Sequence, residues 1–214
     1  AGGVAMTEDF KPVMYQVQAG EKTFATFELT VTNPGGHSSR PRADNAIYEL
    51  AAALGKIQAY QFPVNASPLV RSYFGAMGKL TPGEMGQAMQ AFAANPEAPE
   101  PRVKLLSDPG ISTQMRTTCV ATMLRGGHAE NALPQSATAT VNCRIMPGEG
   151  GAAATQAALA KAIGNDNVKF KLMTNVVESP ESTLTPEVRA AVMASLDARY
   201  PGLPIVPELS SGGT

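Results

Sequence analysis

The chain has 214 residues, 43% of them hydrophobic and 16% charged, with a formal net charge of −1. This length and apolar content suffice for a packed domain and exclude a disordered tail, while the near-zero charge gives no electrostatic footprint for nucleic acid or an anionic membrane surface. No apolar run is long enough to cross a bilayer.

Residues 1–21 read as irregular, with interspersed glycine and proline. Ala25, Phe27, Leu29 and Val31 then alternate with Thr26, Glu28, Thr30 and Thr32, the period of a half-buried strand over 22–33. Turn chemistry at Asn33-Pro34-Gly35-Gly36 ends it. Asp44 reads as the N-cap of a helix over 45–58, in which Ile47, Leu50, Ala51, Leu54 and Ile57 recur at helical spacing. Residues 61–112 are rich in Ala, Met, Gly and Pro and read as an inserted excursion of short helices. Met115, Thr117, Cys119, Ala121 and Met123 fall on one face of a strand over 113–124, broken at Gly126-Gly127. The clearest strand covers 136–146, where Ala137, Ala139, Val141, Cys143 and Ile145 alternate with polar residues up to Pro147-Gly148. An Ala-rich helix follows over 151–163, closed by Gly164-Asn165, and then a strand over 167–175. Thr185 and Pro186 open one more helix with Val188, Val192 and Leu196 on one face, and Leu203–Pro207 reads as extended.

The order β-α-(insertion)-β-β-α-β is that of a ferredoxin-like α+β sandwich, a four-stranded antiparallel sheet with two helices on one face. In that register Cys119 and Cys143 both point to the helix-covered side. Both are expected to be buried there; a disulfide between them is possible but not implied by the sequence.

Three short segments have chemical capacity. His37 follows two glycines at a strand end, where a slim backbone lets an imidazole reach a ligand and donate to an oxyanion. Asn131 offers a donor and an acceptor in the loop Gly127-His128-Ala129-Glu130-Asn131. Arg144 lies on the polar face of the 136–146 strand, and its guanidinium fork matches a carboxylate. Each has a plainer reading when taken alone: a turn histidine, an Asn bonded to its own backbone, a solvated arginine. Glu187 and Glu208 have no acid–base companion, and no nucleophile elbow, phosphate loop or dinucleotide fingerprint occurs. Neither the two histidines nor the two cysteines have zinc-ligand spacing, so no metal site is expected within the chain.

Taken together, the segments resemble a known family. Gly35-Gly36-His37-Ser38-Ser39-Arg40-Pro41 with Asn45-Ala46-Ile47, Gly126-Gly127 through Asn131-Ala132-Leu133-Pro134, and Asn142-Cys143-Arg144 with Pro147-Gly148 resemble motifs of the co-catalytic zinc hydrolases, a family that includes aminoacylase, glutamate carboxypeptidase, succinyl-diaminopimelate desuccinylase and carboxypeptidase S. Ser211-Gly212-Gly213-Thr214 is similar to a catalytic-domain loop of that family, cut one residue short of an Asp.

The resemblance implies a lid, or dimerisation, domain over 22–178 with an insertion at about 61–112. It also implies a linker from a catalytic domain over 1–21 and the truncated start of a second catalytic segment over 179–214. The missing initiator Met fits a piece of a longer protein, and the tail, without its partner, is expected either to be poorly ordered or to dock on the sandwich or a neighbouring chain. The parent would be a hydrolase of peptide or N-acyl amino-acid amide bonds, with two zinc ions and a Glu base outside this chain. His37 would hold the oxyanion, often in the partner subunit of a homodimer. Asn131 would hold substrate, Arg144 would grip its carboxylate, and Gly212, Gly213 and Thr214 would line the substrate pocket. His37, Asn131 and Arg144 are then expected to share a face or a mouth. The rivals are a ferredoxin-like ligand- or RNA-binding module and a purely structural dimerisation domain. An RNA-binding sheet needs exposed aromatics beside basic residues, and strands 113–124 and 136–146 hold no aromatic and only Arg116 and Arg144.

Overall fold

The computed structural model describes residues 2–178, 180–182 and 185–211. In chain order its elements are β1 (Gly2–Met6), β2 (Pro12–Glu21), β3 (Thr23–Thr32), β4 (Gly36–His37), α1 (Ala46–Ala59), α2 (Pro68–Leu80), α3 (Gly83–Ala94) and α4 (Pro99–Leu106). These are followed by α5 (Pro109–Thr113), β5 (Thr118–Gly126), β6 (Ala132–Leu133), β7 (Ser136–Ile145), α6 (Gly151–Ile163), β8 (Lys169–Leu172), α7 (Pro186–Asp197) and β9 (Ile205–Ser210). They fall into two compact units, one with the described residues of 1–22, 64–116 and 179–212, the other with those of 23–63 and 117–178.

The second unit is the sandwich. Its sheet has the order β5-β7-β3-β8 with every pairing antiparallel, the ferredoxin-like arrangement. β3 and β7 pair along their whole length, from Thr23↔Ile145 to Thr32↔Ser136. The period-two pattern decides which face is buried: Ala25, Phe27, Leu29 and Val31 of β3 and Ala137, Ala139, Val141, Cys143 and Ile145 of β7 are all buried. Leu50, Ala53 and Ile57 of α1 and Leu159 and Ile163 of α6 close over them in one core. Burying each large side chain of that set contributes roughly 1.5–3 kcal/mol. Phe27 packs edge-to-face on Phe170, with ring centroids 6.2 Å apart.

Two details depart from the sequence reading of this unit. Asn45, not Asp44, caps α1: its Oδ1 accepts from Ile47 N–H at 3.0 Å and Tyr48 N–H at 3.3 Å. Asp44 is instead gripped by Arg42 through two bonds of 2.8 and 2.9 Å, which hold its carboxyl below the usual range. The strand expected at 113–124 begins only at Thr118, because Asp108 caps α5 and carries helix to Thr113. A bulge between Ala121 and Met123 then inserts one extra residue. Met123 consequently lies opposite Thr140 on the open face, while Leu124, opposite Ala139, takes the core side, so Met115 through Met123 do not share a face.

In the first unit, residues 2–6 and 12–21, expected to be irregular, form strands, and the stretch read as extended around 203–207 contributes a third. β1 and β2 pair antiparallel, and β9 joins β2 in parallel, from Tyr15↔Ile205 to Glu21↔Ser210. Residues 205–210 are therefore not a loose tail; Ile205, Val206 and Leu209 are buried. The insertion is helical as expected. α2 and α3 meet through the edge-to-face pair Phe74–Phe92 at 5.3 Å, and Gly78 and Gly86 sit where a side chain would strike opposing backbone.

The cap assignment has a direct consequence. Asn45→Ala should lower the unfolding free energy by about 1 kcal/mol in urea titrations, whereas Asp44→Ala, at an exposed partner of Arg42, should change it far less. Equal effects would contradict the capping geometry.

Candidate functional site

The end of β3 forms the site around His37. Asn33 Oδ1 accepts from Gly35 N–H at 3.2 Å, and Asn33 N–H donates to Gln135 O at 3.0 Å, tying the turn to the residue preceding β7. Gly35 has φ 73°, and a Cβ there would lie 2.7 Å from Gln135 Cγ, so this tight passage requires glycine. The turn sets β4 against β6 as a two-stranded ribbon, Gly36↔Leu133 and His37↔Ala132, and Ser38 N–H donates to Asn131 O at 3.0 Å. Two segments far apart in sequence thus bring the backbones around His37 and Asn131 together, although Asn131 does not line the cavity at His37.

The imidazole is oriented by its own loop. Ser39 N–H donates to His37 Nδ1 at 3.2 Å, and Ser39 Oγ lies 2.9 Å from the same atom. A backbone N–H can only donate, so Nδ1 must present its lone pair. In the neutral ring the hydrogen then sits on Nε2, which becomes the donor offered to a ligand. His37 and Ser39 are exposed at a cavity of about 610 Å³ lined also by Gly35, Gly36, Arg40 and Arg42. Ser39 was not singled out by sequence reasoning; the signal was the serine pair directly after His37. His128 is exposed in the preceding loop and does not line this cavity.

Arg144 lies elsewhere. It stands on the sheet face away from the helices, between Phe24 of β3 and Thr118 of β5. Its guanidinium carbon is 4.7 Å from the centroid of the Phe24 ring. Counting along β7 from Ser136 at ~3.3 Å per residue, Arg144 is about 26 Å from the ribbon end of the sheet. Within one chain, then, the ribbon joins the segments that carry His37 and Asn131, and Arg144 does not join them. Asn142, beside it on the open face, donates from Nδ2 to Thr26 Oγ1 at 3.1 Å. The expected pocket residues Gly212, Gly213 and Thr214 lie outside the described residues.

Cys119 and Cys143 are cross-strand partners in register and form a disulfide between β5 and β7. The pairing left open by the sequence is thereby decided, and the reading of two buried thiols is set aside. Among the described residues, no group of three His, Cys, Asp or Glu side chains converges as a metal-holding set.

Comparison with known proteins fixes the family. The family model for the peptidase dimerisation domain matches residues 19–170. The chain belongs to the M20 peptidase dimerisation-domain family. This dimerisation domain is 28% identical over 210 residues to the probable carboxypeptidase S-like 2 of Dictyostelium discoideum, covering 95% of the chain and 38% of that protein. It is also 28% identical over 148 residues to the N-fatty-acyl-amino acid synthase/hydrolase PM20D1 of Homo sapiens, covering 66% of the chain and 28% of that protein. The chain therefore spans well under half the length of these curated relatives. A crystal structure of an M20 family metallo-carboxypeptidase, Sso-CP2 from Sulfolobus solfataricus, superposes with a TM-score of 0.58 at 16% identity, covering 99% of the dimerisation-domain chain and 57% of that structure. That likeness is one of fold.

The disulfide is open to a simple check. The native chain should show no maleimide-reactive thiol until a reductant is added, after which both cysteines should label; labelling without reductant would refute the Cys119–Cys143 bond.

Proposed function

We propose that this dimerisation domain serves as the lid of a hydrolase acting on peptide or N-acyl amino-acid amide bonds, in which His37 donates a hydrogen bond to the oxyanion formed when the amide carbonyl is attacked. The observation that carries this reading is the ribbon in which Ser39 leaves Nε2–H of His37 as the donor, next to the segment that carries Asn131. A preoriented donor is most valuable where charge develops, because it needs no reorganisation at the moment of reaction. Asn131 supplies an amide that both donates and accepts, suited to holding the polar backbone of a substrate. Arg144 is proposed to bind the substrate carboxylate through its planar fork.

The separation of roughly 26 Å along the sheet, counted at 3.3 Å per residue, exceeds the reach of a single amino-acid substrate. It supports a homodimer in which His37 and Asn131 of one copy complete a site that contains Arg144 of the other. The edge of β5 is the surface we propose for that dimer. Among the described residues β5 has a strand neighbour on one side only, Val120 and Leu124 are 60% and 64% exposed, and Ile47 of α1, which lies against Gly126 of β5, is 41% exposed. An apolar unpaired edge is a template for a second copy across a two-fold axis.

The zinc ions implied by the family are proposed to be held by residues outside this chain. No step here is assigned to them. The unit containing β1, β2 and β9 is proposed as part of the catalytic half of the parent, and Gly212, Gly213 and Thr214 as part of its substrate pocket.

In the full-length enzyme, His37→Ala should lower kcat by roughly 10²–10³ with a much smaller change in KM, because the interaction is made mainly in the transition state. Wild-type turnover in that variant would reduce the lid to a structural role. Leu124→Lys should convert the dimer to a monomer in sedimentation velocity while the far-ultraviolet dichroism stays unchanged. An unaltered sedimentation coefficient would remove the β5 edge from the interface.

A further inference from the structure

We infer that Phe24 is a positioning residue that holds the Arg144 guanidinium over its ring and ready for a substrate carboxylate. The inference rests on the reading of Arg144 as the carboxylate-binding residue and deepens it. Phe24 and Arg144 are direct cross-strand partners in the β3–β7 ladder, so register alone brings them together on the sheet face that the helices leave open. Phe24 stands out on β3: Ala25, Phe27, Leu29 and Val31 are buried on the core face, while Phe24 faces outward and is 41% exposed. A large apolar ring on the polar face of a sheet has no core to fill. What it touches is the guanidinium, 4.7 Å from the ring centroid.

The chemistry of that contact leaves a specific part of Arg144 available. The cation sits over the ring, whose negative quadrupole attracts it; this contact uses none of the guanidinium N–H groups as hydrogen-bond donors to another polar group, so the fork is kept for a bidentate acceptor. Arg144 Nη1 is buried and has no hydrogen-bond partner among the described residues. The salt bridges found among the described residues also leave Arg144 out. A guanidinium with an unmet donor is unfavourable, and a carboxylate that draws the fork into a paired geometry offsets that cost. An arginine without that contact would have to give up the freedom of a long side chain on binding; Phe24 removes part of that freedom beforehand. The neighbouring polar pair Asn142–Thr26 is satisfied internally, with Nδ2 to Oγ1 at 3.1 Å, and does not compete for the fork.

The test uses the full-length enzyme with two substrates, an N-acyl amino acid and its carboxamide, and the variants Phe24→Leu, Phe24→Met, Phe24→Tyr and Arg144→Ala. Leu and Met keep apolar bulk and lose the quadrupole, whereas Tyr retains it. Phe24→Leu and Phe24→Met should each raise KM for the carboxylate substrate about five- to tenfold, with kcat within about twofold of wild type and no change for the carboxamide. Phe24→Tyr should restore the wild-type KM. If Phe24→Leu and Phe24→Met match wild type while Arg144→Ala raises KM for the carboxylate alone, the positioning role is overturned and the carboxylate reading stands. If Arg144→Ala also leaves KM unchanged, the reading itself fails and the inference with it. Equal losses on both substrates would make Phe24 a structural residue and overturn the proposal. In the 214-residue chain, the Arg144 Nε–H resonance should carry an aromatic ring-current shift that Phe24→Leu abolishes. Its absence in the wild-type chain would also overturn the proposal.

Discussion

The ten-residue antiparallel ladder between β3 and β7 is the constraint on which the rest of the sandwich depends. Its register sets three things at once. The inward residues of both strands meet α1 and α6 in one core. At one end, Thr32 opposite Ser136 leaves the chain where Asn33 can bond Gln135 and the ribbon carrying His37 and Asn131 can form. At the other end, Phe24 lies opposite Arg144. A slip of one residue would send Phe27 and Leu29 to solvent and part both of these pairings. The core enforces the register, and the register in turn positions the polar groups.

Much of this was legible because sandwich strands with one buried face advertise themselves. Period-two alternation in 23–32 and 136–145 and helical spacing in 46–59 and 151–163 follow directly from what each face must bury. What was illegible depended on partners remote in sequence. Residues 12–21 have no strong local period and become a strand because 205–210, partly read as extended from the sequence, offer them a parallel edge. The bulge in β5 likewise leaves no local signature, since whether Thr122 is the extra residue is decided by its neighbour β7. At the start of α1, two adjacent residues were both competent caps. Asn45 prevailed once Arg42 had engaged Asp44.

The site divides in the same way. His37 and Asn131 announce themselves through glycine-flanked motifs, because the backbone must be slim and turned to bring them out. The orientation of the imidazole is subtler: the backbone N–H of Ser39, a group that every non-proline residue has, selects which nitrogen carries the hydrogen. Arg144 is readable as a fork on a polar face, but its distance from the ribbon follows only from the strand pairing. The Cys119–Cys143 bond is a product of register too, and it ties the edge strand that bears Val120 and Leu124 to the centre of the sheet.

The nesting of the chain also has a cost during biosynthesis. β3 ends at Thr32 and its ladder partner begins at Ser136, with the whole helical insertion between them. At translation speeds of about 5–20 residues per second, a ribosome needs roughly 5–20 s to make that intervening stretch. For that interval Phe27, Leu29 and Val31, the centre of the finished core, belong to a nascent strand with no partner strand yet synthesised. The helices of the insertion, whose contacts are local, have time to pair before the sandwich does. Aggregation through the exposed β3 face competes with folding over those seconds, so the yield of soluble protein depends on how quickly residues 136–145 arrive and find it.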